Sequence, residues 1–248
     1  MAHKTVSSIA ELLEALRVDH GGYTGARWYR GQADKSWTLL PGYLRSSKSL
    51  SEGTLISRFR QSAALLTERF PRESFDWLFL MQHYGVPTRL LDWTESPLIA
   101  LYFALNDPSH SKDTDAALWL LKPTELNKNA NIVDEEEENY IPSFEDEELK
   151  GYAYESLRTN RRVKLTPIAT IATRNNARIQ AQMGAFTIHH NDDVPIESVG
   201  EKSHTTKYII PKSAKSKLAG ELSILGITRF SVFPEMASIG YVIKESLS

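Results

Sequence analysis

The chain has 248 residues, and 29 Lys and Arg against 31 Asp and Glu leave a formal net charge of −2. That balance excludes a uniformly basic nucleic-acid coat, while 41% hydrophobic and 24% charged residues exclude a broadly disordered chain. Cysteine is absent, which removes disulfides, thiolate metal sites and cysteine nucleophiles together and permits a reducing compartment.

The N-terminal stretch has no apolar signal core, and the longest apolar run, Pro97 to Leu105, is far shorter than the roughly 20 residues a membrane helix needs. A soluble, cytoplasmic protein without membrane contact is expected, folded as a single domain over 1–248. Ser8 and Glu11 form a capping-box pattern ahead of Leu12, Leu13 and Leu16, which predicts an N-terminal amphipathic helix over about 6–18. Gly21-Gly22 breaks it, and the aromatic segment Arg27 to Gln32 reads as a strand ending in a tight turn. After the turn at Leu39 to Gly42, apolar residues from Leu55 to Phe70 recur at three and four, predicting one long helix over 52–70.

A second helix is expected over 73–82, with Pro87 beyond its end. Leu90 to Trp93 reads as extended, Ser96-Pro97 as the start of a helix running to Leu105, and Ala116 to Leu121 as the strongest strand. Nine of the fifteen residues from Asp134 to Glu148 are acidic, the pattern of a solvated insertion. Ser156 to Asn191 holds no acidic residue but six basic ones, Arg158, Arg161, Arg162, Lys164, Arg174 and Arg178, so a near-neutral total hides a polarised molecule. Strands are expected over 185–190, 208–210 and 228–233, with a helix over 213–225. This order lacks clean βαβ alternation and gives an α+β class, a mixed sheet with helices packed around it.

The densest cluster of reactive residue types is His83 to Thr94, where a histidine, an arginine, an aspartate and two threonines surround a Gly/Pro turn leading into a helix. Two readings of it stand on residue types alone. Either Asp92 and Thr94 tie down the turn while Arg89 pairs with Asp92 and Trp93 fills core, or the free N–H groups of the following helix help hold an anion. His189-His190 is a poor metal pair, since neighbours on a strand point to opposite faces, and no metal is expected.

Tyr29-Arg30-Gly31, the run His83 to Ala104, and Asn176-Ala177-Arg178-Ile179 with Gln182, Gly184 and Phe186 resemble the FRG domain family, named for its aromatic-Arg-Gly triplet and found mainly in bacteria and their viruses. The resemblance spans about Trp28 to Phe233 and leaves out the first helix and the acidic insertion. More loosely, an early strand with arginine beside glycine, a middle strand leading into a small-residue helix and a late polar strand resemble ADP-ribosyltransferases. That resemblance implies an ADP-ribosyltransferase-like fold and an NAD-dependent enzyme modifying DNA, RNA or protein, in the manner of a toxin or antiviral effector, with NAD as co-substrate and no metal.

Arg30 matches the arginine that grips NAD, with Gly31 beside it, and Thr94 or Thr88 matches the supporting hydroxyl. Gln182 stands where the layout has a ribose-binding glutamate, with Asp92, then Glu95, as substitute acids. His83 and Arg89 are expected to line the pocket, Trp93 to stack on nicotinamide or base, and Arg162, Lys164, Arg174 and Arg178 to guide DNA or RNA through the basic 156–191 stretch. The chemistry suits these types, because leaving of nicotinamide builds positive charge on the ribose and the diphosphate must be held. The alternative is a nucleotide or nucleic-acid binding module without catalysis.

Overall fold

The computed structural model describes residues 4–47, 49–67, 71, 73–107, 113–160, 162–171, 177–245 and 247. In chain order its elements are β1 (Lys4–Thr5), α1 (Ile9–His20), β2 (Trp28–Gln32), α2 (Gly42–Arg45), α3 (Glu52–Ala63), α4 (Ser74–His83), β3 (Leu90–Thr94), α5 (Pro97–Leu105), β4 (Ala116–Leu121), α6 (Pro123–Lys128), α7 (Tyr154–Thr159), β5 (Ile168–Thr170), α8 (Ala177–Ala181), β6 (Gly184–Ile188), β7 (Thr205–Ile210), α9 (Lys215–Ile224), α10 (Arg229–Val232) and α11 (Met236–Glu245). The strands form one seven-stranded mixed sheet in the order β1-β7-β4-β2-β3-β6-β5, with β1 parallel to β7 and every other pair antiparallel. The α+β class therefore holds.

Local chemistry explains most boundaries. Ser8 caps α1 by accepting from the Glu11 N–H at 3.2 Å, and Glu11 answers by accepting from the Ser7 N–H at 2.7 Å, so the helix begins at Ile9 and runs two residues past the expected end. Ser96 accepts from the Ile99 N–H and Pro97 opens α5, whose sequence is apolar on every side. Such a helix has to be buried, and six of its nine residues are. β4, expected from Ala116 to Leu121, spans those residues and is buried along its whole length because both faces of the sheet are covered there.

Two faces of the sheet carry three clusters. Trp28, Leu91, Trp93, Ala117, Trp119, Leu121 and Ala185 pack one face against Leu39, Leu126, Ile196 and Val199. The other face carries two separate cores. Tyr29, Leu118, Leu120 and Tyr208 meet α1, α5 and α9 in one, and Leu90, Phe186 and Ile188 meet α3 and α4 in the other. Registers Tyr29↔Thr94 and Leu90↔Ile188 put both cores on the same side, so the gap between them falls at Asp92 and Thr94.

Four expectations need correction. The helix expected over 52–70 ends at Ala63, because the apolar stripe continues into Leu65 and Leu66, which lie 98% and 86% exposed; Phe70 lies outside the described residues. Residues 228–233 are not a strand: the Thr228 hydroxyl accepts from the Ser231 N–H while the Ser231 hydroxyl accepts from the Thr228 N–H, a reciprocal cap that starts α10. The strand expected over 185–190 spans Gly184–Ile188, so His189 and His190 lie past its end, and Gln182 sits in the turn between helix α8 and that strand. The acidic segment 134–148 exposes its glutamates as expected, yet it is anchored, since Phe144 lies 4.9 Å from the Phe75 ring and 4.5 Å from the Phe79 ring.

Candidate functional site

β2 makes five register pairs with β4, and β3 makes five with β6, but β2 and β3 pair only at Tyr29↔Thr94. Beyond that pair the two central strands part. A cavity of about 520 Å³ opens there, in the size range of small-molecule sites, and its wall includes Arg30, Gly31 and Gln32 from β2, Asp92, Trp93 and Thr94 from β3, and Gly184 and Phe186 from β6. Where ladder pairing has stopped, an Arg30 Nη1 proton is donated to the Asp92 carbonyl oxygen, so a side chain spans the split.

Each residue of the Tyr29-Arg30-Gly31 triplet has its own physical reason. Tyr29 is buried in the core with α5 and hydrogen-bonds His20 Nε2 at 2.8 Å. Arg30 faces the cavity, with its Nε buried and unpartnered. Burial pulls the Arg30 guanidinium down to about 10, with Asp92 raising it and Arg45 lowering it, so it stays a cation at neutral pH. Gly31 is there for packing: a Cβ on it would lie 1.9 Å from the Ala100 carbonyl oxygen and 2.5 Å from the Ala104 nitrogen. Its expected part in NAD binding is thus better described as letting α5 lie directly on β2.

α4 supplies the next wall. Gly85, at φ +77°, turns the chain from α4 towards β3, which sets Gln82 and His83 against Asp92. Gln82 Nε2 donates to Asp92 Oδ2 at 2.6 Å, and the Thr88 hydroxyl donates to Gln82 Oε1 at 2.7 Å. Asp92 itself is exposed towards the cavity. His83 is half-buried, and burial first, then Arg178, pushes its imidazole below the ordinary histidine value, so it is neutral at pH 7. Arg178 donates to the His83 carbonyl oxygen at 3.3 Å and lies 4.7 Å over the Phe233 ring.

The structure brings together Arg30, Gly31, His83, Asp92, Thr94, Arg178 and Gln182 around one cavity. It withdraws others from direct contact. Arg89 is 1% exposed, pairs with Glu52 at 2.8 Å and donates to the His189 and Tyr152 carbonyl oxygens, so it is an internal strut and not Asp92's partner. Thr88 is buried behind Gln82. Trp93 is in the lining, but its ring is buried in the core on the opposite face, where Nε1 donates to the Thr187 hydroxyl. Thr94 donates its hydroxyl to the Gln182 carbonyl oxygen and accepts from the Ser96 N–H, and the Gln182 amide donates to the Val232 carbonyl oxygen, so both are engaged in fixing the wall. Glu95 lies past β3, outside the lining, its N–H bonded to the Met183 carbonyl oxygen.

The described cations of the basic stretch sit in different surroundings. Arg178 lines the cavity, Lys164 pairs with Asp192 at 3.0 Å, Arg158 lies over the Tyr154 ring and Arg162 is exposed away from the lining; Arg161, Arg174 and Asn176 lie outside the described residues. The sequence points to neither Arg45, Trp37 nor Gln82 among the polar and aromatic residues of the cavity. Arg45, at the end of α2, and Trp37, in the turn after β2, sit in segments without a repeat or motif, and Gln82 lies one residue before the recognised run. The cavity thus holds three arginines, Arg30, Arg45 and Arg178, with aromatic walls from Trp37, Phe79, Tyr102, Phe103, Phe186 and Phe233. Among the described residues no group of three His, Asp or Glu could hold a metal ion, and no helix is long and apolar enough to cross a membrane.

No curated protein and no solved structure matches the chain. Residues 25–113, which carry Arg30, Gly31, Gln82, His83 and Asp92, match the model of the FRG domain family, the family to which the Tyr29-Arg30-Gly31 triplet points.

Proposed function

We propose that the cavity between β2 and β3 binds NAD and that the chain is an ADP-ribosyltransferase acting on a nucleic acid or a protein. The observation that supports this most is the meeting, in one cavity, of the Arg30 cation with an unpartnered Nε, aromatic walls and the exposed Asp92 carboxylate. Arginine forks suit a diphosphate, rings suit adenine or nicotinamide, and a carboxylate suits the ribose as positive charge grows on it. In the reaction, the bond from ribose C1′ to nicotinamide nitrogen breaks and its electron pair leaves with neutral nicotinamide. The acceptor nucleophile forms the new bond to C1′, and its proton passes to Asp92. Arg30 and Arg178 hold phosphate, and His83, neutral at pH 7, lines the wall as a hydrogen-bonding group.

The test follows nicotinamide release and mass gain on DNA, RNA and lysate proteins, beside calorimetric NAD binding. Arg30→Ala is expected to lose binding and turnover, and Asp92→Asn to bind NAD but lose turnover by at least about 100-fold. Undiminished turnover in folded Asp92→Asn would remove Asp92 from the chemistry. A noncatalytic nucleotide-binding module is favoured by one observation, the Gln182 amide tied to the Val232 carbonyl where the resemblance has a glutamate. It predicts saturable binding with no nicotinamide released.

A further inference from the structure

Behind the exposed carboxylate stands a chain of hydrogen bonds with only one consistent direction. The Thr88 hydroxyl, 1% exposed as a residue, accepts from the Leu90 N–H at 3.1 Å. Its own proton is donated to Gln82 Oε1 at 2.7 Å. With Oε1 so occupied, the amide orientation is fixed and Nε2 presents its protons to Asp92 Oδ2 at 2.6 Å. Among the described residues, Asp92 Oδ1 receives no hydrogen bond, while the backbone oxygen of the same residue is held by Arg30. Asp92 is therefore gripped at its carbonyl by β2 and at one carboxylate oxygen by α4, with the other oxygen left towards the cavity.

We propose that Gln82, oriented by Thr88, is a positioning residue that locks the Asp92 carboxylate with Oδ1 as its working edge. The assignment rests on the transferase reading for its consequence in catalysis, whereas the bond chain itself is testable without any reaction. Uncharged glutamine has a specific merit here: it donates to one carboxylate oxygen without placing a second cation beside it, so Oδ1 is left as an acceptor for a ribose hydroxyl. A lysine or arginine at 82 would draw the carboxylate into an ion pair, and a glutamate would repel it.

Two measurements decide it. In turnover, Gln82→Leu is expected to lower kcat for nicotinamide release about 10- to 100-fold, the scale seen when the partner of a site group is removed, with KM for NAD changed by no more than about twofold. Thr88→Ser keeps the hydroxyl and is expected to retain turnover, whereas Thr88→Val, of the same shape, should fall with Gln82→Leu. Equal losses in Thr88→Ser and Thr88→Val, or a loss in Gln82→Leu that lies wholly in KM, would overturn the positioning role. In solution NMR, the Gln82 side-chain amide should show one proton protected from exchange, with protection lost in Asp92→Ala and Thr88→Val and kept in Thr88→Ser. An unprotected amide in the native protein would overturn the bond chain. Absence of nicotinamide release from native protein would defeat the transferase reading alone, and the amide resonances would still decide whether Gln82 holds Asp92.

Discussion

Replacing Gly31 by alanine tests the packing account of the Tyr29-Arg30-Gly31 triplet with a single methyl group. The added Cβ would stand 1.9 Å from the Ala100 carbonyl oxygen and 2.5 Å from the Ala104 nitrogen, both in the backbone of α5. Neither can rotate away as a side chain would, so α5 has to move off β2 by more than an ångström. That helix contributes Ile99, Ala100, Leu101, Tyr102, Ala104 and Leu105 to the core, all of which shift with it. Overpacking of this kind costs about 3 kcal/mol, which for a chain of this length lowers Tm by about 6–12 °C. The measurement is urea unfolding at 25 °C for native protein, Gly31→Ala and Gly220→Ala. Gly220 is exposed on α9 with nothing within 4 Å of its added Cβ, so its substitution should be neutral or stabilise by up to about 1 kcal/mol. Equal stability of Gly31→Ala and native protein, within about 0.5 kcal/mol, would refute the reasoning and return Gly31 to a role in ligand binding.

Arg89→Ala leaves Glu52 buried without its partner and should destabilise by about 3–5 kcal/mol in the same unfolding assay, a loss too large for a surface arginine. Burial lowers the His189 imidazole from its ordinary value to about 4, with the Val194 carbonyl bond opposing the change and Arg89 adding to it. The unfolded chain then binds that proton first, so stability should fall as pH drops from about 6.5 towards 4, by up to about 3 kcal/mol from this group; His189→Gln should flatten that slope, and an unchanged slope would contradict the assignment. Trp37→Leu should weaken NAD binding about tenfold with little change in Tm, whereas Trp93→Ala should cost about 3–5 kcal/mol in stability; the reverse pattern would show that Trp93 is the stacking ring.

The sequence made legible those parts of the fold that local chemistry decides. Ser8, Ser96 and Pro97 mark helix starts through bonds their own side chains make, and the run Ala116 to Leu121 declares a strand buried on both faces. Periodicity misled where a tertiary neighbour was lacking, as at exposed Leu65 and Leu66, and where a cap overrode a strand-like composition, as at Thr228 and Ser231. Two-residue β1 and three-residue β5 are too short to carry a pattern, since their existence depends on β7 and β6.

At the site, Arg30, His83, Asp92 and Arg178 were readable as residues, but their neighbours were not. Alternation along β3 sends Asp92 and Trp93 to opposite faces, a fact implicit in the strand that places Trp93 in core. The sequence places Arg89 beside Asp92, whereas Glu52, 37 positions earlier, is its partner. Arg45 and Trp37 reach the cavity from a connecting segment whose path is set by packing, which no local signal reports.

Whether the split between β2 and β3 is a site for NAD chemistry is decided by nicotinamide release from the native chain measured beside Arg30→Ala. Release is expected to depend on an acceptor, with ADP-ribose mass appearing on that acceptor, and both are expected to be lost in an Arg30→Ala protein that unfolds at the native urea concentration. No release with NAD bound, or release that persists undiminished in Arg30→Ala, would contradict NAD chemistry at that split.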